Sequence, residues 1–244
     1  MVTRRKTSTG PRKAVRKKEG QRKTPAVPQA FAIRIASNYN RAQALAFARQ
    51  YWNLACPDLY IGTGASPFLL QVPAGTSFQR NATGPNAPEV AVKPDGSTIP
   101  FSQMDDCAHF ISSCLGTPPN ASAGGLNISS DFAVAYGIFG AQRLFNYLNT
   151  QGAINVIGTN LSHDDAAAQL SSLNAGDLIF YAPQGGSIHH SGLFLGSPSQ
   201  NIACHTYCRA DQVTGDPPQG WDSVAFTDGS GSSLVTVYTL AQLV

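Results

Sequence analysis

Apolar positions recur at helical spacing in "SNYNRAQALAFARQYWNLA" (37–55), where Leu45, Ala48, Trp52 and Ala55 fall on one side. That spacing predicts a helix, with Ser37 or Asn38 able to cap its start. A stretch rich in Pro, Gly, Asn and Thr follows over 57–103 and reads as loop, with a strand or two in pieces such as "PFLLQVP". In "DDCAHFISSCLG" (105–116) Asp105 or Asp106 can cap a helix that buries Phe110, Ile111 and Leu115. Gly116 and Pro118–Pro119 end it. "IFGAQRLFNYLN" (138–149) predicts another helix, stopped by Gly152, and "SHDDAAAQLSSL" a short one capped by Ser162. The texture then changes to strands: "DLIFYA" (177–182), "HHSGLFLG" (189–196), "QNIACHTYC" (200–208) and "SSLVTVYTL" (232–240). Their hairpin-like separations predict antiparallel neighbours. Helices first and an antiparallel sheet second make an α+β domain.

Composition divides the chain in two. Of its 244 residues, the first 24 hold ten Lys/Arg and one acid, Glu19, or +9. The other 220 hold seven Lys/Arg and thirteen Asp/Glu, or −6, which gives the overall +3. Residues 1–28 are therefore expected to be a disordered basic tail, with too little apolar surface to offset ordering, and 29–244 one folded domain. The tail reads either as a solvated leader or as a tether to nucleic acid or another anionic polymer. No apolar run follows "TRRK", so no signal peptide and no transmembrane span is expected.

Five cysteines (56, 107, 114, 204 and 208) are an odd number in a chain too long for a small disulfide scaffold. Cys107 and Cys114 stand seven apart on a predicted helix, about 10 Å of rise, so they cannot pair with each other. A disulfide of Cys204 or Cys208 with Cys56 stays open. Cys107 opens its helix, where unpaired N–H groups and the helix dipole favour thiolate and can hold an oxyanion. Cys114, two turns in, reads as core. A thiol nucleophile also needs a base, and the strands offer His189, His190 and His205.

Face alternation separates the two neighbours. His190, Gly192 and Phe194 share one face of their strand, and Gly192 would let a helix approach there. His190 is thus the expected base and His205, on the next strand, the expected third member that orients it. His109 and His163 read as surface or helix-face residues, and Asp177 as an acid closing a turn. Tyr39 and Gln103 are weak candidates for a further oxyanion donor. The metal alternative is a zinc site from Cys204, His205 and Cys208 with His189 or His190.

"DCAHFISSCL" resembles the Asp-Cys-Thr-Asn-Phe-Val-Ser-Gln-Cys-Leu pattern of the putative amidase domain family, within the papain-like clan that includes NlpC-type and CHAP cell-wall hydrolases. "YNRAQALAFARQYW" (39–52), "NAGDLIFYA" (174–182), "HSGLFLG" (190–196) and "CHTYCR" (204–209) are similar to that family's other segments, in its order. Ala108-His109 replace its Thr-Asn, and Ser113 its Gln. The resemblance implies a papain-like α+β fold, a Cys-bearing helix packed on an antiparallel half-barrel. It also implies a Cys107–His190–His205 triad with no cofactor and no metal, and bacterial peptidoglycan peptide as the amide substrate. A cell-wall hydrolase without a signal peptide would be secreted or delivered by a non-classical route. Two other readings remain at this point: a delivered effector protease or deamidase acting on protein, and a non-catalytic binding module.

Overall fold

The structure, a computed structural model, describes residues 38–64, 66, 68–80, 89–100, 104–205, 219–228 and 230–244. The basic tail, Gln103 and Cys208 lie outside them. Among the described residues the architecture is α+β, with four α-helices and several antiparallel sheets. No helix among them is long and apolar enough to cross a membrane.

The first helix, α1 (Arg41–Tyr51), begins later than the apolar spacing predicts. Asn40 caps it instead of Asn38, its side chain accepting from the Gln43 N–H, while its own N–H is held by the Gly124 carbonyl. Ala44, Phe47 and Ala48 form its buried side. Helix α2 (Cys107–Leu115) is buried at every residue. It runs through the centre of the main core rather than along its surface. Burying Phe110, Ile111 and Leu115 there contributes about 1.5–3 kcal/mol apiece. Helix α3 (Ala141–Thr150) begins at Gly140, and α4 (His163–Gln169) at Ser162, whose side chain accepts from the Asp165 N–H as expected.

The 57–103 stretch is more ordered than its composition suggests. A two-stranded sheet joins β1 (Tyr60–Gly62) to β2 (Leu69–Gln71). A three-stranded one joins β3 (Ser77–Arg80), β4 (Glu89–Val92) and β5 (Thr98–Pro100) over a small separate core around Phe78, Ala91 and Ile99.

The main sheet has six strands: β6 (Ile154–Leu161), β7 (Leu178–Pro183), β8 (His190–Phe194), β9 (Asn201–Ala203), β10 (Gln219–Gly220) and β13 (Thr236–Leu243). Their order is β10-β9-β8-β7-β13-β6, every pairing antiparallel, and the sheet does not close into a barrel. A small pair, β11 (Phe226–Thr227) and β12 (Ser233–Leu234), precedes β13. Strand β6 was not expected from the sequence, and it is held by its long pairing with β13.

Register fixes which side chains share a face. Phe180 of β7 lies opposite Ser191 of β8, and Phe145 of α3 meets Phe180 edge-on at 5.3 Å. That face carries α2 and α3. Tyr181 lies opposite His190, and Tyr238 of β13 opposite Tyr181. This second face is covered by Trp221, whose carbonyl accepts from the Tyr181 hydroxyl and whose ring packs 5.2 Å from Tyr238. His163 of α4 stacks on Trp221 in turn.

Candidate functional site

Cys107 is the first residue of α2, as expected, with Asp106 at the N-cap. Asp106 does not cap with its side chain. Its Oδ1 accepts from the Gly62 N–H at 2.6 Å and from His109 Nδ1 at 2.9 Å, and its Oδ2 accepts from His205 Nδ1 at 2.6 Å. Two donors from elsewhere in the chain, Gly62 and His205, and the His109 side chain of α2 itself take this carboxylate in place of the backbone cap. Helix geometry leaves the N–H groups of Cys107, Ala108 and His109 without intrahelical acceptors, so the anion-stabilising end of α2 is not consumed by a cap.

The thiol is buried against the start of β8. Cys107 Sγ lies 3.8 Å from the His189 carbonyl oxygen, and Ser191 reaches it through both backbone and side chain. Burial, and next the charge of Asp105, push its pKa up to about 12, against the partial relief that Ser191 gives. The sequence suggested a thiolate favoured by the helix terminus. Desolvation of a side chain only 1% exposed outweighs the dipole, and the thiol keeps its proton.

His190 is fully buried on β8, and burial lowers its pKa to about 3, so the ring is neutral at ordinary pH. It sits on the Tyr181 face, with ring centroids 5.6 Å apart. Helices α2 and α3 approach from the Ser191 face, which reverses the expectation that Gly192 would admit the Cys-bearing helix. The missing side chain of Gly192 accommodates Ile202 of β9 instead. His190 and Cys107 are therefore brought to the same short segment of β8 but to opposite sides of it. His189, which precedes the strand, is exposed, with Nε2 3.3 Å from the Ser187 hydroxyl.

His205 is also buried, stacked on Phe110 with ring centroids 4.1 Å apart. Its Nε2 donates to the Tyr51 carbonyl at 2.8 Å and its Nδ1 to Asp106, so both nitrogens are committed away from His190. His205 holds the start of α2 rather than the imidazole it was expected to orient.

The sequence reading missed His109. It is fully buried, not a surface residue, and stacks on Phe139 at 4.4 Å. Its Nδ1 faces Asp106 and its Nε2 faces Asp58 Oδ2 at 3.0 Å. Burial alone would lower its pKa, but Asp106 and then Asp58 raise it to about 10, so the ring is a fixed cation. Conversely His109 and His205 hold Asp106 at about 2 against burial. The Asp106–His109 spacing of three on one helix face was the available signal. Asp58 also accepts from the Tyr136 N–H and forms part of the wall of a cavity of about 490 Å³, with Ser130, Asp131 and Phe132.

Of the remaining candidates, Tyr39 is structural, its hydroxyl donating to the Gly176 carbonyl. Asp177 closes its turn by accepting from the Asn174 N–H and pairs with Arg41 at 2.6 Å. Cys56 and Cys114 are buried free thiols, and Cys107 and Cys114 are not joined. Among the described residues no group of three or more His, Cys, Asp or Glu side chains is arranged to hold a metal ion. The zinc reading also needs Cys208, outside those residues, and a nitrogen of His205 that is already engaged.

Comparison with protein families matches residues 38–226 to the model of the putative amidase domain. Neither the curated proteins nor the solved structures compared give a match.

Proposed function

Because the chain belongs to the putative amidase domain family, whose activity is amide hydrolysis, we propose that it is a thiol-dependent amidase of papain-like architecture with Cys107 as nucleophile. One observation carries the reading. Within the family-matched segment, the first residue of a wholly buried helix is a cysteine whose sulphur lies against the start of a histidine-bearing strand.

In this mechanism His190 accepts the Cys107 proton as sulphur attacks the substrate carbonyl. A thiol held near pKa 12 beside a neutral imidazole transfers its proton during attack, not before it. The N–H of Cys107 donates to the oxyanion, which collapses to a thioester and releases the amine, protonated from His190. Water, deprotonated by the same ring, then cleaves the thioester. His205 contributes through Asp106, by fixing the end of α2. For the transfer the His190 ring has to reach the Cys107 side of β8, a movement of residues 187–189 together with the first residue of the strand.

The exposed position of His189, whose carbonyl already touches the sulphur, favours a second reading in which His189 is the base. Separate His189→Ala and His190→Ala variants decide between them. The larger loss of kcat from His190→Ala supports the first, and from His189→Ala the second. The proposed substrate is the peptide of bacterial peptidoglycan, as the family resemblance implies. Mass spectrometry of purified peptidoglycan fragments after incubation tests it. New free amine and carboxyl ends are expected there, and cleavage of protein substrates alone would reject it.

A further inference from the structure

Four buried ionisable side chains form a chain of contacts beneath the nucleophile, and the amide hydrolysis proposed above does not by itself require them. Asp58, His109, Asp106 and His205 are connected by contacts of 3.0, 2.9 and 2.6 Å, ending on the Tyr51 carbonyl. Both ring nitrogens of His109 face carboxylate oxygens, a pattern met when both carry hydrogen. The chain draws together the loop before β1, β1 itself through Gly62, the end of α1, the segment just after β9 and the start of α2. These segments are distant in sequence. They meet at one carboxylate, that of the residue before Cys107.

Stability alone is a poor reason for this arrangement. The surroundings are the rings of Phe78, Phe110 and Phe139, and apolar side chains of similar size usually serve such a place as well or better. Apolar groups cannot supply a fixed position for Asp106 together with a counter-charge for it. Cys107 feels Asp105 and Asp106 from the start of α2, and both disfavour its thiolate. The other titratable groups facing this end are His189 before β8, which acts on Asp105, and Cys56 in the loop beside Asp58 and Asp106.

We infer that the Asp58–His109–Asp106–His205 chain is a positioning and charge-balancing device for Cys107, in which the fixed His109 cation cancels the Asp106 charge next to the thiol. The inference rests on the reading of Cys107 as the reacting thiol. Its test follows alkylation and not turnover, so it stands or fails separately from the hydrolase proposal, which Cys107→Ala tests.

The experiment follows the rate of Cys107 modification by iodoacetamide against pH, located by mass spectrometry, in folded full-length protein. His109→Gln removes the larger of the two imidazole contributions that balance Asp106, and Cys107 should react about threefold or more slowly at each pH, a shift of about half a pKa unit. Adding Asp106→Asn restores the charge balance and should bring the rate back towards wild type. A purely structural role predicts the opposite, since the double variant loses more contacts than the single one. A folded His109→Gln with the wild-type profile, or a double variant no faster than the single one, overturns the inference. If His109→Gln does not fold, Asp106→Asn alone removes the acid that disfavours the Cys107 thiolate while keeping the Asp58–His109 contact. It should quicken the reaction, and an unchanged or slower rate overturns the inference as well.

Discussion

His190 should make the protein acid-labile, by an amount that follows from its burial. The unfolded chain protonates this ring near pH 6.5, whereas the folded protein resists until about 3 because burial disfavours the imidazolium. Between those values the unfolded state binds more protons. The stability is fully present above pH 6.5 and is lost as pH falls towards 3, by about 1.4 kcal/mol per unit. Going from about pH 7 to about pH 4.5 crosses two of those units, a loss on the order of 2.7 kcal/mol from this one side chain. Other groups contribute little over that span. His109, charged when folded but titrating near 6.5 when unfolded, opposes the loss only at the upper end of the span and equally in every variant, and Asp106 adds its own loss only below the ordinary aspartate range, towards about 2. Asp105, raised by burial, works in the opposite direction, but equally in every variant. Urea midpoints at the two pH values, for the wild type and for His190→Gln, measure the difference. The variant starts from its own baseline, and its fall with pH should be smaller by most of the 2.7 kcal/mol. Equal falls in both proteins would show that His190 is not held neutral, and the buried-base argument would fail.

Modification of Cys107 should accelerate roughly tenfold per pH unit between about pH 7 and 10, because its thiol titrates near 12. A plateau below neutrality, seen as a rate independent of pH, would reveal a resting thiolate instead. Cys114→Ala should keep its activity and lose about 1 kcal/mol in a denaturant titration, for the small cavity left inside α2. Gly62→Ala should cost about 1–3 kcal/mol and lower kcat, since a Cβ there meets the Asp105 carbonyl and the Phe139 ring and displaces the start of α2. Unchanged melting and kinetics would show that this packing is looser than described.

The four helices and the placing of Cys107 were legible because their signals are local: apolar spacing, Gly or Pro at the end, and for α4 the Ser162 cap. Strand β6 was not, since "INVIGTNL" carries Gly158 and two asparagines and has few buried positions. Its strand state comes from the β13 ladder, beyond any local window. His109 was misjudged for a similar reason. An isolated histidine in a helix reads as exposed when one face is assumed to meet water, and α2 has no such face. The carboxylate that completes its environment, Asp58, lies 51 residues upstream in a stretch read as loop. Alternation along β8 correctly separated His190 from its neighbours. Which of the two faces receives α2 depends on the packing of α3 and Trp221, and no spacing within the strand reports that.

The central claim is that amide cleavage runs through the Cys107 sulphur, and the most direct test compares wild type with Cys107→Ala at matched melting temperature. The measurement is the release of free amine ends from peptidoglycan peptides, with intact-mass detection of the acylated protein. Wild type should release them and carry the acyl group on Cys107, while Cys107→Ala should be slower by about a thousandfold or more and carry none. A folded Cys107→Ala protein that releases amines at the wild-type rate would contradict the claim.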